Sequence, residues 1–295
     1  MAGMNGRVAF ALVAAALAGG AIGYRIGAQR EAAHPPLRPP NAGAGSAPRA
    51  MPRGTGPDVP AGELGRQSTR ALRDPTYLRS LLLQYAAETE ADRKGALLAI
   101  LNSAPSDESL RFALELVHGT DPDARSDGLA LLAAFPLDRT DVRETLVQQL
   151  RDEHDPDAQA RLLDMLAPAQ MAREDAAPIL RQIERLRASP DPAVRAASVR
   201  QTAQWDRSPD AEDALHRALL DPDPRVRQAG IEGVTVAGTR SERLKDALLA
   251  IASDAQAGTE QRQAAVLGLQ NYSLDRGEYA LYHRAADEIA GASAH

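Results

Sequence analysis

The chain has 295 residues, of which 44% are hydrophobic but only 3% aromatic, with a net charge of −6 and no cysteine. That length holds one or two ordinary domains, and without cysteine there are no disulfides, thiolate metal sites or cysteine nucleophiles. The charge is uneven: residues 1–62 carry six Arg against Glu31 and Asp58, a balance of +4, while the remainder carries 28 basic and 38 acidic residues, a balance of −10. An acidic body repels phosphate backbones, so nucleic acid is not expected among its partners.

The first candidate element runs from Val8 to Tyr24, 17 residues without a charge, between Arg7 and Arg25. As a helix it would be about 25 Å long at roughly 1.5 Å per residue. That is the lower limit for crossing a hydrocarbon core of about 30 Å. Three readings compete: a single-pass anchor, a signal peptide cleaved at Ala16-Leu17-Ala18, or a buried segment of a cytoplasmic protein. Gly19, Gly23 and Gly27 recur every fourth residue, which would let two membrane helices approach closely or simply reflects Ala/Gly richness. The expectation taken forward is an N-terminal transmembrane anchor or signal segment over 1–30. Residues 8–24 would hold the chain in the inner (cytoplasmic) membrane with the body on the periplasmic side. The alternative is secretion to the periplasm after cleavage near Ala18. Arg25 and Arg30 pull against that orientation.

Residues 31–62 hold eight Pro with many Gly and Ala. Almost nothing there can be buried, so the stretch is expected to be a disordered, extended linker.

From about Glu63 the pattern becomes helical. Asp74-Pro75 suits a helix start, since Asp caps and Pro tolerates the first position. Leu78, Leu81, Leu82 and Tyr85 then fall on one face. With so few aromatics, the core must be built from Ala, Leu, Val and Ile, and small residues permit short distances between helix axes.

Internal repeats are the strongest signal. Segments 89–101, 121–135, 155–167, 189–203, 221–238 and 258–272 align on Lys94, Asp127, Arg161, Arg195, Arg227 and Arg262, in steps of 33, 34, 34, 32 and 35 residues. Each period reads as two helices around a Pro/Asp turn. In DPDPRVR, Pro222 stops one helix, Asp223 caps the next and Pro224 takes its first position. Amphipathic first helices are predicted at 110–119, 142–152, 177–188, 211–221 and 242–254. None can bury its apolar face alone, so neighbouring hairpins must stack. Tyr272, Tyr279 and Tyr282 with Leu274, Leu281 and Ile289 predict a helix that closes the stack.

DPDPRVRQAGIEGV (221–234) and SPDPAVRAASV (189–199) resemble HEAT repeats, in particular the short bacterial HEAT-like repeats also found in bilin lyases. The resemblance covers about residues 74–290. It implies an all-α fold over 63–295: a right-handed α-solenoid of about six HEAT-like helical hairpins with a C-terminal capping helix. It also implies a structural ladder in which a turn Asp and an Arg six residues later bond within and between repeats. Asp155/Arg161 and Asp221/Arg227 match that spacing, and Arg195 and Arg262 hold the Arg position in their repeats. Ser189 stands opposite Arg195, however, and Asp127 replaces the basic residue opposite Asp121, so the ladder is expected to be interrupted.

No catalytic, cofactor or metal site is expected. The six His form no compact ligand motif, and His154 beside Asp155 and Asp157 reads better as a polar turn than as a metal site. No phosphate-binding loop or nucleophile elbow occurs. Trp205, the only Trp, is a candidate anchor for a partner or packing at a junction between repeats. The expected function is a membrane-tethered, non-catalytic HEAT-repeat scaffold or adaptor for a protein partner. The alternative is a HEAT-scaffold enzyme resembling bilin lyases.

Overall fold

A computed structural model describes residues 61–206 and 208–292. The apolar segment 8–24, the Ala18 cleavage site and the linker up to residue 60 lie outside the described residues. Every regular element described is a helix, and none of these is long and apolar enough to cross a membrane. The chain divides into two compact units between Ala104 and Pro105.

The first unit contains α1 (Ala61–Arg73), α2 (Pro75–Ala87) and α3 (Ala91–Asn102), each packed on the other two. Asp74 caps α2 as predicted, its Oδ1 accepting from the N–H groups of Thr76 and Tyr77 at 3.0 and 3.1 Å. Leu78, Leu81, Leu82 and Tyr85 are the buried face of that helix.

The second unit is a run of five hairpins. They pair α4 (Asp107–His118) with α5 (Pro122–Leu132), α6 (Thr140–Asp152) with α7 (Pro156–Asp164), α8 (Arg173–Leu186) with α9 (Pro192–Trp205), α10 (Pro209–Leu219) with α11 (Pro224–Ala237), and α12 (Glu242–Ser253) with α13 (Thr259–Leu269). A final helix, α14 (Arg276–Ala292), packs on both α12 and α13. Second helices stack on second helices, α7 on α9, α9 on α11 and α11 on α13, while α10 lies beside α12. This is the α-solenoid of helical hairpins with a closing helix that the repeats predict. The first predicted repeat is the α2–α3 hairpin of the other unit.

The turns follow from the Asp-Pro pairs. Asp121, Asp155, Asp191 and Asp223 each precede the helix-opening Pro, and each side chain accepts from an N–H of the first turn, at 3.0, 2.8, 2.8 and 2.8 Å. Such a cap is worth about 1 kcal/mol, and Pro at the first position loses no helical hydrogen bond. In one helix the predicted start is corrected. α8 begins at Arg173 and carries Pro178 inside it. Glu174 and Asp175 in its first turn suit the positive end of the helix dipole and draw the helix back past the Pro.

The core is aliphatic, with Leu132, Leu150, Leu163, Leu215, Leu248 and Leu269 all at 0% exposure. Burying each such side chain contributes roughly 1.5–3 kcal/mol. The seventh position of the second helices is held by Gly128, Leu162, Ser198, Gly230 and Ala265, every one buried. At Gly128 an added Cβ would lie 2.8 Å from the carbonyl oxygen of Ala113, so only glycine admits this approach of α4 to α5. In α14, Ala285 and Ile289 join the core and Tyr282 packs against it. Tyr279 and Leu281, expected in the same cluster, stay exposed.

Candidate functional site

The charged row is where sequence and structure differ most. The predicted alignment places Asp127 and Arg161 in line with Arg195 and Arg227. In the structure the position is the fourth residue of each second helix, which makes the row Arg125, Gln159, Arg195, Arg227 and Arg262. Alignment on charge is therefore two residues out of register in the two earlier repeats. Asp127 does not interrupt the row, and Arg161 is exposed and outside it. The signal that finds the register is the helix-opening Pro, which fixes the count in four of the five repeats.

What the row does is local and repeated. Each side chain reaches back across the turn to main-chain carbonyls at or just beyond the end of the preceding helix. Arg125 donates to Gly119 at 3.1 Å and Gln159 to Glu153 at 2.6 Å. Arg195 donates to Ser189 and Pro190 at 3.1 and 3.0 Å. Arg227 donates to Asp221 and Pro222 at 2.9 Å each, and Arg262 to Ala252 at 3.0 Å. The last carbonyls of a helix lack helical partners and carry its negative pole, so a guanidinium there satisfies both. Arg143, fourth in the first helix α6, makes the same bonds to Leu137 and Asp138 at 3.0 and 3.1 Å.

The same guanidinium groups reach forward into the next repeat. Arg195 binds both carboxylate oxygens of Asp221, Arg143 binds Asp175 at 3.1 Å, and Arg262 binds Glu288 of α14 at 2.6 Å. Arg227 reaches the Gln261 side chain at 3.4 Å. Asp221 thus pairs with the Arg of the preceding repeat, and Arg227 takes its main-chain carbonyl instead. Asp155 pairs with no Arg among the described residues and serves as a cap for Ala158. Two further cross-repeat bridges, Arg200–Asp164 and Arg243–Asp213, join α9 to α7 and α12 to α10.

Burial alone pushes the Asp221 carboxyl up, but the Arg195 guanidinium and the Asp223 N–H together outweigh it, and the net direction is down. The Lys245 ammonium, buried between Glu242 and Glu278 at 2.6 and 2.8 Å, is pushed up by those two carboxylates.

Trp205, the candidate anchor, is half-buried, and its indole N–H donates to the Leu166 carbonyl at 2.6 Å across one repeat. The indole thus ties one repeat to another, the packing role weighed for it beside that of a partner anchor. His154 lies in the α6–α7 turn with Nδ1 2.7 Å from the Asp152 carbonyl.

A cleft of about 660 Å³ lies on the first helices, bounded by α4, α6 and α8. Its floor includes Leu114, Thr145, Val147 and Pro178. Arg139–Asp107 at 2.8 Å joins the N-terminal ends of α4 and α6, and Arg143–Asp175 joins those of α6 and α8. One end of the cleft holds Asp141, Glu144 and Glu174, from the N-terminal parts of α6 and α8. The other holds His118 and Arg151, from the last turns of α4 and α6.

Residues 181–270 match the family model of HEAT repeats. They run from within α8 through the end of α13, the part of the solenoid where Arg195, Arg227 and Arg262 stand. No match to a curated protein was found. Among solved structures, the chain is similar to the complex of CpcE and CpcF of phycocyanin lyase from Nostoc sp. PCC7120. The identity is 14% and the TM-score 0.38, over 86% of this chain and 100% of that one.

Proposed function

We propose that this protein is a membrane-tethered HEAT-repeat adaptor that presents its solenoid to a protein partner and carries out no chemistry of its own. The observation that carries the reading is the repeat array. Guanidinium groups tie successive hairpins together, and stacked hairpins of this kind offer extended, ordered surfaces suited to protein faces and peptides. Arg195, Asp221, Arg143 and Lys245 are occupied in holding helices to one another.

In this reading residues 8–24 anchor the chain in the inner membrane, residues 31–62 hold the body away from the surface, and the body faces the periplasm. Cleavage near Ala18 would give a periplasmic form of the same module. Photo-crosslinkers placed on exposed positions of the full-length protein in its own cells test the function. A discrete crosslinked protein recovered with the membrane fraction is expected, and a folded chain that yields none overturns the adaptor reading. A reporter fused at residue 62 tests the topology, since activity of a reporter that works only in the cytoplasm contradicts a periplasmic body.

A further inference from the structure

The closing helix α14 has a second face. Ala285 and Ile289 turn into the core, and on the opposite side Arg276, Tyr279, Ala280, His283, Arg284 and Asp287 are all exposed. They fall at i, i+3, i+4, i+7, i+8 and i+11, which makes one continuous stripe along the helix. Closing the stack explains neither the middle of this stripe nor its ends. The middle is aromatic and held in place. Tyr279 is 54% exposed, its ring centroid lies 4.6 Å from that of His283 and 6.3 Å from that of Tyr282, and its hydroxyl is 2.7 Å from His283 Nε2. The charges are unspent. Glu278 and Glu288 of the same helix are tied to Lys245 and Arg262, but Arg276, Arg284 and Asp287 form no ion pair or hydrogen bond among the described residues. Arg276 also takes the first helical position, at the positive pole of the helix dipole, where a cation is unfavourable.

We infer that this stripe is the contact surface of a homodimer, in which a second copy of the chain lays its own α14 antiparallel across it. Turned about a centre between Leu281 and Tyr282, the stripe is its own complement. Arg276 meets Asp287 of the second copy, an opposite charge that also offsets the dipole at that end. Tyr279 meets Arg284 of the second copy, a guanidinium against an aromatic ring. Ala280 meets His283 of the second copy, a small residue opposite a large ring. Two-fold symmetry makes each of these pairs twice. A parallel arrangement sets Arg276 on Arg276 and Asp287 on Asp287, so the charges select the antiparallel one. The rings are already stacked on their own helix, so little side-chain order is lost on binding. The stripe is about 17 Å long at roughly 1.5 Å per residue. It is smaller than a standard interface of about 20–30 residues a side, so the dimer is weak and reversible, with a dissociation constant of about micromolar order. The inference stands apart from the adaptor reading and concerns a different face.

The test uses the full-length protein in detergent and reads association by sedimentation and by energy transfer between labelled chains, across micromolar concentrations. Arg276→Asp sets Asp on Asp at both ends of the stripe, and Asp287→Arg sets Arg on Arg. Each alone should weaken the dimer about tenfold or more. Mixed together, the two variants restore both opposite-charge pairs, and so does a single chain that carries both substitutions. Dimers recovered in the mixture and in the double variant are the expected result. The substituted positions are exposed, so circular dichroism and the melting curve should stay in place. The apolar segment 8–24 is the same in every variant, so association through it leaves all of them equal. Equal dimerisation by the single variants, no recovery in the mixture, or an unaltered protein that stays monomeric overturns the inference. In cells, a photo-crosslinker at Ala280 should capture a second copy. Capture of another protein and no second copy gives the face to that partner and overturns the inference as well.

Discussion

Arg195 and Asp221 stand in successive repeats and are joined by two N–H···O bonds of 3.0 and 2.9 Å, with side chains only 19% and 15% exposed. The same guanidinium holds the turn carbonyls of its own repeat, so one side chain fixes both the bend of a hairpin and its seat on the next. A bidentate, charge-assisted pair with little solvent access is the strong form of this interaction.

Breaking that pair leaves a charge with no partner in a mostly buried place. Arg195→Met and Asp221→Asn are each expected to lower unfolding free energy by about 2–3 kcal/mol, measured by urea denaturation. Losses that add when the two are combined would show that the residues act independently. The acid side has a definite sign. Asp221 titrates below its ordinary value of 3.8, and a carboxyl depressed in the folded state contributes its full stability above the unfolded value and loses it as pH falls through the folded one. The gap between the unaltered protein and Asp221→Asn should hold steady from neutral pH down to about pH 5 and close below about pH 4.

The corrected register makes its own prediction. Arg125 bonds the Gly119 carbonyl, whereas Arg161 is exposed and outside the row. Arg125→Met should cost about 1 kcal/mol. Arg161→Met should stay within about 0.5 kcal/mol of the unaltered protein. Thermal melts of the two variants side by side decide it, and the reverse order would restore the alignment on Arg161.

Much of this fold was legible because its punctuation is local. Asp-Pro pairs write both the cap and the first helical position: they placed the starts of α2 and α11, and the same kind of pair opens α5, α7 and α9. The spacing of Leu78, Leu81, Leu82 and Tyr85 wrote a buried face correctly. The ladder was harder, because aligning on the nearest charged residue ignores the turn, and turns of different length shift that residue against the cap. That is how Arg161 displaced Gln159. Partners across repeats were less legible still: nothing in the spacing of Asp221 and Arg227 says that the carboxylate turns back to Arg195. The cleft leaves no motif, because it is a space between three helices that are distant in sequence.

The buried glycines separate packing from propensity. An Ala at Gly128 would meet the Ala113 carbonyl and Leu116 Cβ, each at 2.8 Å, whereas an Ala at Gly95 in α3 meets nothing within 4 Å. Replacing a helical Gly by Ala gains up to about 1 kcal/mol of helix propensity. Gly95→Ala should therefore stabilise by about 0.5–1 kcal/mol. Gly128→Ala should destabilise by roughly 1–3 kcal/mol, because α4 must move away from α5. Equal shifts in the two melts would remove the case for close approach at Gly128.

Lys245 governs the closing helix. Its side chain is 6% exposed, and of its two carboxylate partners only Glu278 belongs to α14. Lys245→Met keeps the aliphatic bulk and removes the tie, so amide exchange across residues 276–292 should accelerate while that of α9 and α11 is unchanged. The pH dependence comes from both partners. Glu242 and Glu278 push Lys245 up from 10.5, so its contribution is complete below that value and is lost as pH rises through the raised one. Lys245, joined by the Asp275 N–H, pulls Glu278 down from 4.5, so that contribution is complete above 4.5 and is lost as pH falls through the lowered one. Docking of α14, tracked by the near-ultraviolet dichroism of the tyrosines around it, should be flat between about pH 5 and 10 and fall away on both sides. In Lys245→Met the fall on the alkaline side should vanish, and an unchanged alkaline limb would assign it to some other group.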